Sequence, residues 1–238
     1  MNLHKLILTK NDCYKAGKYI KPTGIMVHST AANNPYLKRY VGPDDGLLGV
    51  NTYNNHWNMS GVGACVHAFI GKLKDNSIAT YQTLPWNMRG WHCAGSGNNN
   101  LISFEICEDG LKDKIYFGEV YREAVELCIY LCKEYNINPD NIICHSEGYK
   151  KGVASNHADV MHWFPKFGKS MDTFRADVKK GLEDKPELTS ANDITWELNH
   201  SFFPITDTKR FVDALEQARV ENSSLYWGFY KLVNGIKK

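Results

Sequence analysis

What the sequence lacks narrows it first. Its net charge is only +2 over 238 residues. No stretch forms a Lys/Arg-rich stripe, so neither nucleic acid nor a charged membrane surface is an expected partner. No long apolar run is present, so no membrane insertion is expected. The N-terminal stretch Met1 to Lys10 has an apolar core too short for a secretion signal and no small-residue cleavage site. Synthesis in the cytoplasm without signal-directed export is therefore expected. Paired Cys-x-x-Cys hooks are missing too. The seven cysteines (Cys13, Cys65, Cys93, Cys107, Cys128, Cys132 and Cys144) are odd in number and lie mostly in apolar runs. They read as buried free thiols and not as a disulfide framework.

What the chain does have is a dense group of metal-capable side chains between Ile142 and Phe164. His145 follows the apolar run Ile142 to Cys144, which reads as a buried strand. His157, Asp159 and His162 follow in a segment rich in Gly, Ser and Asn. A second apolar run, Gly24 to Val27, ends in His28. Two strands of one sheet, each delivering a histidine at its end, would set two imidazoles side by side. A third ligand from the loop after His145 would leave the fourth zinc position open, which is the pattern of a catalytic zinc.

The remaining elements suggest an α/β fold with a central mixed sheet flanked by helices. Asn34 and Pro35 predict a short helix to Val41, and Gly42 to Gly63 a long loop that could wall a groove. Ala64 to Ile70 and Ile78 to Thr83 read as a hairpin. Leu101 to Cys107 is an apolar strand holding Glu105, a carboxylate that is costly there unless it faces a functional site. Apolar positions from Tyr121 to Tyr135 repeat every three or four residues, predicting a helix over 119–135. Ser170 is expected to cap another. The charged run Glu183 to Glu187, with a proline, is the expected boundary between a catalytic domain, residues 1–183, and a small all-helical region, residues 188–238. Asp207 and Ser223 are N-cap candidates there, and Trp196, Trp227 and several other aromatics suggest a binding surface or self-association as a homo-oligomer.

Five segments in order carry a resemblance: Met26 to Thr30, Cys65 to Ile70, Gly90 to Gly95, Asn98 to Ile106, and Ile143 to Glu147. Together they resemble the type-2 N-acetylmuramoyl-L-alanine amidases, whose fold is shared with peptidoglycan recognition proteins and phage lysozyme-amidases. The likeness spans residues 20–182 and is strongest to members from Firmicutes and their phages, endolysins included. It implies a zinc hydrolase that acts on peptidoglycan in the cell wall, after release, and cuts the amide between muramic acid and L-alanine.

The resemblance places the zinc ligands at His28, His145 and Asp159, and the general base at Glu105. His157 stands where the family has a Lys or Thr that steadies the oxyanion, and its loop is longer than usual. Trp91, His92, Asn98 and Asn99 fall on substrate-contacting positions. Trp57 and Trp86 could also stack on sugars, whereas His67 and His162 are expected to brace the structure. A non-catalytic muropeptide-binding module is the alternative, but such members lack the ligands this chain keeps. A thiol hydrolase using Cys144 with His145 is disfavoured, because adjacent strand residues point to opposite faces.

Overall fold

A computed structural model describes residues 1–183 throughout, and beyond them 191, 194–195, 198, 205–221 and 224–234. It divides into two compact units, Met1–Leu182 and Glu183–Lys238. The first is built on a six-stranded sheet. Its strands are β1 (Leu3–Lys5), β2 (Gly24–Asn33), β3 (Ala68–Lys72), β4 (Ile78–Gln82), β5 (Leu101–Glu108) and β6 (Ile142–Cys144), in the spatial order β1-β4-β3-β5-β2-β6. Only the β3–β4 hairpin is antiparallel.

Alternation along the central strands sorts their side chains between two faces. Ile25, Val27, Ile102, Phe104 and Ile106 join the main core. There they meet the helix α2 (Lys114–Tyr135), with Val120, Ala124, Leu127 and Leu131 buried on one side of it. The helix α4 (Met171–Glu183) adds Met171, Phe174 and Val178 to the same core. Met26, His28, Leu101 and Glu105 take the alternate positions on β2 and β5, and those positions carry the site.

Several elements depart from the sequence expectation. The helix α2 starts at Lys114, five residues before the expected 119, because Asp113 caps it by accepting from the backbone N–H groups of Ile115 and Tyr116. Asn34 does not cap a helix. Its Oδ1 accepts from Tyr36 N–H in a local turn, and only a short 3₁₀ segment, Leu37–Arg39, follows. The strand expected from Ala64 begins at Ala68, since Cys65 spends both backbone groups on Trp91. Strand β1 and the short helix α1 (Asp12–Ala16) precede the His28 strand, in a stretch to which the sequence assigns no element.

The cysteine expectation fails at one pair. Cys13 and Cys65 form a disulfide, with Cα atoms 6.4 Å apart, across a separation of 52 residues. A pairing between a helix and a distant loop leaves no mark on local spacing. The other five cysteines are free and buried, including Cys128 and Cys132 on α2. Trp86 also departs from expectation: it is buried in the main core, stacked on His67 and set edge-on to Tyr130, and so cannot reach a sugar.

The second unit has its own apolar cluster. Ala191, Ile194, Leu198, Leu215, Ala218, Tyr226 and Tyr230 are buried together. Leu215 and Ala218 lie on α5 (Thr208–Val220), which Asp207 caps through Arg210 N–H, and the two tyrosines lie on α6 (Ser224–Asn234). Trp196 lies outside the described residues, as does the Trp227 side chain.

Candidate active site

Register alone brings three of the candidate residues together. On neighbouring parallel strands, His28 of β2 is level with Glu105 of β5, and Val27 is level with Cys144 of β6. His145 therefore emerges one step beyond β6, beside His28. It is the first residue of a helix, α3 (His145–Lys150), where a loop was expected. That helix start is held firmly. Glu147 accepts from Cys144 N–H and receives a bidentate guanidinium from Arg175 on α4.

The segment after α3 folds back over the strand ends. Ser146 N–H donates to the Asp159 carbonyl, 3.3 Å, and Ser155 N–H donates to the Cys93 carbonyl, 2.8 Å. Contact with the Trp91–Asn99 turn is close. A Cβ on Gly95 would lie 2.3 Å from the Val153 carbonyl oxygen, so only glycine fits there.

The result is a three-residue convergence. His28 Nδ1 lies 2.9 Å from Asp159 Oδ2 and 3.2 Å from His145 Nδ1, and His145 Nδ1 lies 3.5 Å from Asp159 Oδ1. All three residues are buried, and among the described residues they are the group able to hold a metal ion. Ligand atoms bonded tetrahedrally to zinc at about 2.0–2.2 Å stand roughly 3.3–3.6 Å apart. The observed separations fall within a few tenths of an ångström of that.

The outer nitrogens point the same way. His28 Nε2 meets His92 Nδ1 at 3.0 Å, and His145 Nε2 meets Ser155 Oγ at 3.2 Å. In the tautomers that donate outward through Nε2–H, both Nδ1 lone pairs face the carboxylate, a donor set that calls for a cation. Burial lowers the proton affinity of His28, only partly countered by Asp159. For Asp159, burial would raise the carboxyl, but the close His145 and His28 imidazoles outweigh it and hold the group well below the usual range.

Around this centre is a cavity of about 380 Å3, lined among others by Trp57, Trp91, His92, Glu105, Ser155 and His157. Glu105 Oε2 is buried and has no hydrogen-bond partner among the described residues. Burial first, then the negative charges of Asp159 and Glu108, push its carboxyl well above the ordinary range. The exposed His157 stacks on the His145 ring with centroids 4.6 Å apart. Trp57, from the long loop, forms part of the wall.

Neither asparagine lines that cavity. Buried Asn98 accepts from the backbone N–H groups of His92 and Cys93, fixing the turn that presents Trp91 and His92. Asn99 is exposed and accepts from Arg89 Nε. His67 is a core residue: Nε2–H donates to the Met88 carbonyl, 2.8 Å, and Nδ1 accepts from Ser103 N–H, 3.0 Å. His162 pairs with Glu108 at 2.8 Å. Sequence reading missed Ser155, Glu108 and the role of His92 behind His28. The one available signal was their hydroxyl, carboxylate and imidazole chemistry, which a single position in a loop or at a strand end does not distinguish from an ordinary solvent-facing residue.

Comparison with known proteins agrees with this fold. No curated protein matches the chain. Among solved structures, a point mutant of PlyL is 23% identical, covering 76% of this chain and all of its own, with a TM-score of 0.55. Staphylococcus aureus hydrolase AmiA, solved with its ligand, is 20% identical, covers 76% of this chain and 83% of its own, and has a TM-score of 0.58. The catalytic domain of XlyA is 24% identical over 75% of this chain and 99% of its own, with a TM-score of 0.51. At these identities the likeness is one of fold. The family model for N-acetylmuramoyl-L-alanine amidase matches residues 18–162, more than half of the sequence. On that match the chain belongs to the N-acetylmuramoyl-L-alanine amidase family.

Proposed function

We propose that the protein is a zinc-dependent endolysin or autolysin that hydrolyses the amide between N-acetylmuramic acid and the L-alanine of the peptidoglycan stem. The observation that carries this is the convergence of His28 Nδ1, His145 Nδ1 and the Asp159 carboxylate beside the unpartnered Glu105 Oε2. His28, His145 and Asp159 would hold Zn2+, which supplies Lewis acidity and makes water acidic enough to yield hydroxide near neutral pH.

The chain's own groups do the rest. Glu105 accepts the proton of the attacking water, a role suited to a carboxylate whose proton affinity burial has raised. It then returns that proton to the departing alanine nitrogen. His157, exposed at the cavity wall, donates to the carbonyl oxygen as negative charge grows there. His92 and Ser155 orient the two imidazoles from behind. Trp57 and Trp91 offer aromatic faces to the sugar. Residues 188–238 assist by binding the wall or by self-association.

A non-catalytic muropeptide binder would have no use for a buried ligand triad beside a buried carboxylate oxygen without a partner among the described residues. Chelation tests the reading. Treatment with a strong chelator should abolish release of alanine amines from cell walls, and stoichiometric zinc should restore it. Unchanged activity in metal-free protein would end the zinc reading.

A further inference from the structure

A second cleft, of about 350 Å3, is lined by Asp12, Cys13, Ala16, Lys18, Gly63, Arg89 and Trp91. Trp91, which is 51% exposed, also lines the catalytic cavity, so the two spaces share its ring as a wall. The cleft carries two cations against one carboxylate. Arg89 is held in place without being neutralised. Its Nε donates to Asn99 Oδ1 at 2.8 Å and its guanidinium lies 5.1 Å from the centre of the Trp91 ring, with no ion pair among the described residues. The remaining guanidinium N–H groups form a free planar fork, the geometry that binds a carboxylate. Lys18 is exposed at the same rim, and Asp12 accepts from Gly61 N–H at 3.1 Å.

The walls are tied together. Cys13 of α1 is bonded to Cys65, and Cys65 exchanges both backbone hydrogen bonds with Trp91 at 3.1 Å. Arg89 N–H also donates to the Lys18 carbonyl at 2.8 Å. A cleft whose walls are fixed at this spacing before binding avoids much of the ordering cost.

We propose that this cleft is a carboxylate-recognising subsite for the acidic part of the stem peptide, with Arg89 as the reading group. The inference rests on the amidase reading above. Neutral N-acetyl sugars could use the face of Trp91 but give an unpaired guanidinium nothing to bind. The stem peptide leaving with the alanine amine carries free carboxylates, and it continues from the scissile amide at the cavity that Trp91 borders.

The test uses the full zinc-loaded chain and two soluble muropeptides. They share glycan and stem, but the free carboxyl on the second stem residue is a carboxylate in one and a carboxamide in the other. The wild-type protein should prefer the carboxylate form by about 10-fold or more in kcat/KM. Arg89→Gln should lower kcat/KM on the carboxylate stem by about 10–100-fold, chiefly through KM, and bring the preference close to unity. Lys18→Gln, at an exposed position, should cut the preference by a smaller factor and decides the matter if Arg89→Gln does not fold. Equal wild-type rates on both stems, or equal losses on both in the variants, would overturn the subsite. If the wild-type protein cleaves neither stem, the amidase reading itself falls.

Discussion

Replacing Asp159 and His157 one at a time separates a metal ligand from a transition-state donor. The two residues are only two positions apart, yet they stand differently. Asp159 is buried with its carboxylate 2.9 Å and 3.5 Å from the Nδ1 atoms of His28 and His145. His157 is exposed and lies face to face with His145, presenting its ring and not a converging nitrogen. Asp159→Ala removes one of the three proposed ligands and leaves two imidazoles to hold the ion. His157→Ala leaves the triad whole. The assay is thermal unfolding with and without zinc, backed by metal analysis. Zinc at about 100 times its dissociation constant stabilises the folded state by about 2.7 kcal/mol. For a chain of this size that raises Tm by roughly 5–11 °C. The shift should persist in His157→Ala and disappear in Asp159→Ala. Hydrolysis should fall by about 100-fold or more in His157→Ala, the scale for losing one oxyanion donor. A zinc-induced shift retained by Asp159→Ala but lost by His157→Ala would refute the ligand assignment.

Other predictions follow from single groups. Glu105→Gln should keep its zinc and lose about 10²–10⁴-fold in kcat, checked by metal analysis and single-turnover rates. Buried His67 has its pKa pushed down to about 4, first by burial, so its neutral form is the folded one. Its contribution to stability is therefore complete above the ordinary value near 6.5 and drains away as pH falls towards 4. Between pH 7 and pH 4.5 this group should cost about 2–3 kcal/mol, and urea titrations of His67→Asn should lack that share of the acid loss. A chain truncated after Glu183 should hydrolyse a soluble muropeptide at a rate within about 3-fold of the full chain while binding whole walls more weakly. Insoluble truncated protein would mean that residues 188–238 are a structural cap.

Much of the site is legible in the sequence because it is built from strand ends. The apolar runs before His28 and His145 announce adjacent buried strands, and Glu105 stands out as a carboxylate in an apolar strand. Parallel pairing then does the positioning, setting His28 level with Glu105 and next to His145. What is not legible depends on contacts between distant loops. The Cys13–Cys65 disulfide spans 52 residues, His28 meets His92 across 64, and Glu108 meets His162 across 54. No local periodicity encodes such meetings. Trp86 illustrates the converse: it lies in a Gly- and Asn-rich stretch that reads as a surface loop, yet it is stacked on His67 beneath the sheet's core side chains. Asn98 likewise looks available in sequence but spends its oxygen on two backbone N–H groups.

The central claim is the bond that is cut, and mass spectrometry of digested peptidoglycan tests it most directly. Purified cell walls incubated with the zinc-loaded protein should release intact stem peptides that begin with a free L-alanine amino group. The glycan strands should keep their length and gain no new reducing ends. New reducing ends without free alanine amines would identify a glycosidase and contradict the account.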